Sequence, residues 1–173
     1  MPTPPRYANR PFPPYRFIPG RGAPHPTRDP RGHSSGAPAA TGEPMEPARW
    51  TQSEPYLFAI DLFNHRYWWE AHEELEPLWR AAGRTTQDGL FLQGLIQICA
   101  ALLQHRMGAK ATARLKAAAG CAKMRVAPSL HLGIDVARFT RDVARFLADE
   151  RRSPPLVRLR MPACEPAGRE AAT

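Results

Sequence analysis

The sequence predicts an all-α protein: a compact antiparallel bundle of about five helices, with a disordered Pro/Arg-rich N-terminal arm and a short C-terminal tail. Three observations predict it. Thirteen of the 20 prolines fall within residues 1–50, and proline, which lacks an N–H donor, breaks helices and ladders alike. From residue 53 onward apolar residues recur at steps of three and four, the period of an amphipathic helix. No alternating strand pattern competes with that periodicity. The boundaries are therefore an arm over 1–52, a helical domain over 53–152 and an extended or disordered tail over 153–173. A folding part of roughly 100 residues is large enough to bury one core.

The arm is low in complexity and rich in Pro, Gly, Ala, Ser and Arg. It is expected to be extended or polyproline-like, without a core. The first helix starts at Ser53, an N-cap, with Pro55 in the first turn, where proline is tolerated. Tyr56, Ile60, Phe63 and Tyr67 form its stripe, and Asn64-His65-Arg66 turns the chain. The second helix, 67–82, carries Trp68, Ala71, Leu75, Leu78 and Ala82, with Trp79 beside them, and Gly83 stops it. The third, 86–107, is apolar around most of its circumference, so it is buried. Gly94 within it lets another backbone approach closely. The fourth, 109–126, is alanine-rich, with Ala111, Leu115, Ala118, Ala122 and Val126 as its stripe. The fifth is capped by Asp135 and buries Val136, Phe139, Val143, Phe146 and Leu147. Arg138 and Asp142, like Arg145 and Asp149, pair at i,i+4 on its outer face. Arg151 and Arg152 suit its negative end, and Pro154-Pro155 terminates it. Residues 156–161 are expected to lie extended along the bundle, and the rest to fray.

Charge separates the three parts. The net charge of +8 is made of seven Arg against three acids in residues 1–50, 12 Lys/Arg against 11 Asp/Glu in 54–150, and five Arg against two Glu in 151–173. The basicity lies at the ends, so a basic nucleic-acid-binding domain is excluded and only the arm is left for that role. There Tyr7, Phe12, Tyr15 and Phe17 alternate with Arg6, Arg10, Arg16 and Arg21, a mixture able to make weak stacking and phosphate contacts with single strands. Pro11-Phe12-Pro13-Pro14 matches a PxxP ligand. Cys99, Cys121 and Cys164 show no CxxC spacing. That argues against a zinc knuckle or a disulfide framework and fits a reduced, cytoplasmic setting. The longest apolar stretch, 90–103, is shorter than the roughly 20 residues a bilayer span needs. The start has no apolar run of signal-peptide length.

The polar residues that need explaining lie in Glu70-Ala71-His72-Glu73-Glu74-Leu75-Glu76. On the helical wheel His72 falls near Trp79 and Leu75, so it is expected on the apolar face, with Glu76 at its border. Glu70 and Glu74 are expected to face solvent. His105 shares a face of the third helix with Gly94, Ile98 and Ala101. The candidate polar cluster is thus His72, Glu73, Glu76, Trp79, Gln97 and His105. Three readings are open. The cluster is a buried network that fixes helix register. Or His72, Glu76 and His105 hold a divalent metal between helices, although His72-Glu73-x-x-Glu76 lacks the second histidine of the helical zinc-protease signature. Or a His–Glu pair performs acid–base chemistry in a pocket. No catalytic residue is assigned, because GxSxG, GxGxxG and GxxxxGK[ST] motifs are all missing. No cofactor motif is evident either. Cys99 is expected to pack inertly, and Arg106, Lys110 and Arg114 form a short basic stripe, expected to be a solvated face or a partner for the acidic face of the second helix.

Taken together, Phe63-Asn64, Glu70-Ala71-His72-Glu73-x-Leu75-Glu76-x-x-Trp79, Gly94-Leu95-Ile96-Gln97 and His105 resemble the bacterial and plastid proteins grouped as domain of unknown function 309. The resemblance covers about residues 56 to 124, less than half of the chain, and leaves out the arm. It implies a compact all-helical domain with no established activity. It also implies that His72, Glu73, Glu76, Trp79, Gly94, Gln97 and His105 are signature positions. One departure is visible: Gly108-Ala109 stands where the family shows Gly-Asn, and Ala cannot cap a helix as Asn can. Three functions follow as expectations. The first is a binding or scaffold module for a small ligand or protein partner, not an enzyme. The second is a metal-dependent hydrolase-like enzyme using His72, Glu73, Glu76 and His105. The third is a nucleic-acid accessory protein acting through its basic arms. No membrane contact is expected.

Overall fold

The structure is a computed structural model that describes residues 3–38, 43, 45–149 and 152–162. Five α-helices follow in order: α1 (Glu54–Asn64), α2 (Trp68–Ala82), α3 (Gln87–Arg106), α4 (Lys110–Met124) and α5 (Val136–Ala148). A short 3-10 helix, Pro47–Gln52, precedes them and buries Trp50. The all-helical bundle predicted from the period is therefore present, and α3 is its centre, packed against both α2 and α4.

Helix starts and stops follow local chemistry. The Ser53 hydroxyl accepts from the Tyr56 N–H at 3.4 Å, and the Thr86 hydroxyl from the Gly89 N–H at 3.0 Å. Asp135 caps α5 by accepting from Arg138 N at 3.0 Å. α1 is buried from Tyr56 to Asn64 all the way round, and the chain then turns through Arg66 at φ +65°. Ala109 opens α4 without a side-chain cap.

The glycine expected to admit a neighbouring backbone does so. A Cβ on Gly94 would fall 2.6 Å from the Gly120 carbonyl oxygen, and one on Gly120 would fall 2.7 Å from that of Gly94. This contact decides which face of α4 is buried, and it is not the one predicted. Leu115 is 74% and Val126 56% exposed. The buried residues are Ala113, Ala117, Gly120, Cys121 and Met124. The small face wins because α3 and α4 meet backbone to backbone, where a leucine would not fit.

A two-stranded hairpin, β1 (Leu130–His131) with β2 (Ile134–Asp135), stands before α5. The sequence reading expected no strands. These are two residues each, too short for alternation to register. Leu132 and Gly133 between them both take positive φ, 45° and 76°, the turn that suits a right-twisted hairpin. The turn is held from outside: Tyr56 donates its hydroxyl to Leu132 O at 2.7 Å, and the Trp50 ring occupies the place that a Gly133 Cβ would take.

The described part of the arm, residues 3–38, contains no helix or strand, as its prolines require. It lies against α1 and α2, and Phe17 is buried there. After α5, residues 154–162 run without helix or strand as a strap along the bundle, as expected, with Val157 and Leu159 buried. The expected fraying of the chain end and the helix-end role of Arg151 fall outside the described residues.

Candidate functional site

Asp61 sits in the middle of α1 between Ile60 and Leu62 and has no solvent exposure. A carboxylate there needs partners, since an unpaired buried charge is strongly unfavourable. All of them come from the arm. Oδ1 accepts from Tyr7 N at 2.8 Å, and Oδ2 from Ala8 N at 2.9 Å and from Arg6 Nε at 3.1 Å. Three residues later, at the end of α1, Asn64 does the same for the strap. Its amide donates to Val157 O at 2.8 Å and accepts from Val157 N at 2.7 Å.

Glu70 on α2 completes the set, and here the expectation was wrong. It was read as facing solvent, but it is 6% exposed. Its Oε1 accepts from Phe17 N at 2.7 Å and lies 3.4 Å from His33 Nε2. Burial pushes its carboxyl above the usual carboxylate range, against the pull of the Phe17 N–H and of His33. Glu74, also read as solvent-facing, is half-buried and pairs with Arg10 at 2.7 Å. Burial raises its pKa as well, opposed by Arg10.

The inward cluster is only partly assembled. His72 was expected on the apolar face, but its side chain is 28% exposed. It faces its own helix neighbours, Glu73 Oε1 at 3.2 Å and Glu76 Oε1 at 3.6 Å. Glu76 in turn pairs with Arg80. The wheel sets His72 nearer than Glu70 to Trp79 and Leu75, but Trp79 is itself only partly buried. The arm docks on the Glu70 side and buries that one.

His105 packs its ring 5.1 Å from that of Phe146 on α5. The two histidines face different neighbours. Among the described residues no group of three or more His, Cys, Asp or Glu side chains is placed to hold a metal ion. The His72, Glu76, His105 ligand set is therefore not brought together. Trp79 Nε1, Gln97 Oε1 and His105 Nδ1 are buried without a hydrogen-bond partner among the described residues. Gln97 packs at the α3–α4 contact, beside Gly120.

Of the described cysteines, Cys99 and Cys121, neither is set up as a nucleophile. Burial pushes the Cys99 thiol far up and that of Cys121 up less, and the reactive form is the thiolate. Several of the arm's aromatics and arginines are engaged internally. Phe12 stacks on Tyr67 with ring centres 5.1 Å apart, Arg6 lies over Phe12, and Arg10 lies over Phe58.

Asp61, Asn64 and Glu70 are the residues that sequence reasoning missed as a set. A signal existed for Asp61: one acid in the apolar run Tyr56-Leu57-Phe58-Ala59-Ile60-Asp61-Leu62-Phe63 has no polar face to occupy. No curated protein and no solved structure matches this chain. All three of these side chains fall within residues 56–125, the stretch that matches the family model described as Domain of unknown function (DUF309), as the resemblance implied.

Proposed function

We propose that this chain is a non-enzymatic binding and scaffold module whose α1–α2 face holds polypeptide in extended form. One observation carries the reading. Asp61, Asn64 and Glu70 direct buried polar atoms at main-chain N–H and C=O groups of segments 53 to 93 residues away. Main-chain recognition of this kind accepts many sequences, with specificity left to adjoining pockets. Here the arm and the strap, which lie outside the matched stretch, fill those clamps.

Support for the enzyme reading is weaker. His72 and Glu76 lie on the surface of one helix, and neither line the groove along α5 nor that between α4 and α5. The nucleic-acid reading through the arm is weakened by the internal engagement of Phe12, Arg6 and Arg10. The test is a chain lacking residues 1–38, titrated by calorimetry with a peptide of residues 3–20. Saturable binding is expected, and its loss when Asp61→Ala is added. A truncated chain that keeps its helical circular dichroism but takes up no peptide overturns the proposal.

A further inference from the structure

α5 and the strap enclose a groove of 530 Å3. Its floor is apolar: Ile134, Phe139, Phe146, Val157 and Leu159 are all buried. Its rim carries Arg138, Arg145, Arg152, Arg158 and Arg160 against Asp135 and Asp142, an excess of positive charge. Three of these arginines are paired: Arg160 with Asp135 at 2.7 Å, Arg152 with Asp149 at 3.7 Å and Arg138 with Asp142 at 4.0 Å. Among the described residues no carboxylate is paired with Arg145 or Arg158. They stand on facing walls, one on the helix and one on the strap.

The strap's main chain adds a second feature. Val157 N and O bond to Asn64, Leu159 N donates to the Tyr7 hydroxyl at 2.9 Å, and Arg160 N donates to Gly133 O at 2.8 Å. Among these anchored residues, the main chain of Arg158 has no hydrogen bond to a described residue. An extended residue whose N–H and C=O meet no described partner, carrying one guanidinium and facing that of Arg145, is a short edge for adding another chain.

We propose that this groove binds an acidic segment of a partner polypeptide, lying extended beside the strap with carboxylates on Arg145 and Arg158. Guanidinium forks match carboxylates in two-bond geometry, and the apolar floor takes the residues between. A nucleic acid fits less well. Asp135 and Asp142 break the positive rim where a continuous phosphate chain would run. Asn64 holds the strap that forms one wall of the groove, but the inference rests on Arg145 and Arg158 and not on the proposed role of the α1–α2 face.

The experiment uses the full chain and a fluorescein-labelled peptide of alternating Glu and Val, read by anisotropy. Expected is saturable binding that falls with added salt and weakens by about tenfold or more when Arg145→Glu and Arg158→Glu are combined. Arg28→Glu, in the arm, is expected to leave it unchanged. Equal binding by the double variant, with unchanged circular dichroism, overturns the proposal. So does oligouridine RNA binding through these two arginines while the peptide does not bind. If the double Glu variant fails to fold, Arg145→Gln with Arg158→Gln replaces it and is read in the same way.

Discussion

The side-chain amide of Asn64 and the main chain of Val157 close a two-bond ring across 93 positions of sequence, at 2.7 and 2.8 Å. Asn64 is 2% and Val157 1% exposed, so water cannot replace either bond. Asn64→Asp keeps the shape but sets a carboxylate against the Val157 carbonyl oxygen. It is expected to destabilise the fold by about 2–4 kcal/mol, read as a shift in the urea midpoint. A shift under about 0.5 kcal/mol would show that the ring does not anchor the strap.

Asp61 is the corresponding anchor of the arm. Asp61→Ala removes the acceptor of two main-chain N–H groups and of Arg6. A loss of about 3 kcal/mol is expected, with the Tyr7 and Ala8 amides becoming open to hydrogen exchange. Persistent protection of those two amides in the variant would contradict the assignment.

Glu70 makes stability depend on pH. Burial raises its folded pKa above the ordinary value of 4.5, so between the two the folded chain binds more protons than the unfolded one. Stability is therefore expected to fall as pH rises from about 4.5 through the raised value, and to level off above it. Glu70→Gln keeps an oxygen for the Phe17 N–H and removes the ionisation. The urea midpoint of the variant should be flatter across that window than that of the parent. Equal slopes would mean that Glu70 does not titrate there.

Gly94 and Gly120 set the distance between α3 and α4. Gly94→Ala is expected to cost about 3 kcal/mol, because its Cβ would meet the Gly120 carbonyl oxygen and the Met124 backbone nitrogen, which cannot move aside, as well as the Met124 Cγ. Leu115→Ala, on the outer face of the same pair, is expected to change stability by less than about 0.5 kcal/mol. Thermal melts of the two variants check the assignment of the α4 face, and the reverse order would refute it.

His72→Ala is expected to cost about 0.5 kcal/mol, the usual value of a partly exposed ion pair, rather than the several kcal/mol of a broken buried network. Equilibrium unfolding decides between them.

Much of the fold was legible locally. Ser53 and Asp135 cap helices because a short side-chain oxygen can reach an N–H two or three residues on, and such reach depends only on neighbouring residues. Gly94 announced a close contact because nothing else in an apolar helix calls for a missing side chain. The α4 face was not legible, since an alanine-rich helix offers several equivalent stripes and only its partner, Gly94, selects one. The hairpin was too short to carry a period.

The candidate site divides in the same way. The residue types were present in the sequence: acids and amides on α1 and α2, basic and aromatic residues in the arm. Their pairing was not, because a segment without helix or strand has no period from which its register on the bundle can be read. The wheel favoured His72 over Glu70, and the arm reversed that order by covering the Glu70 side. By itself, then, the sequence determined the helices, their caps, the Gly94 contact and the stretch resembling the family. Only the tertiary structure decided which polar residues are buried. Burial of Asp61, Asn64 and Glu70 is created by chain that arrives from more than fifty positions away, and no local pattern records that arrival.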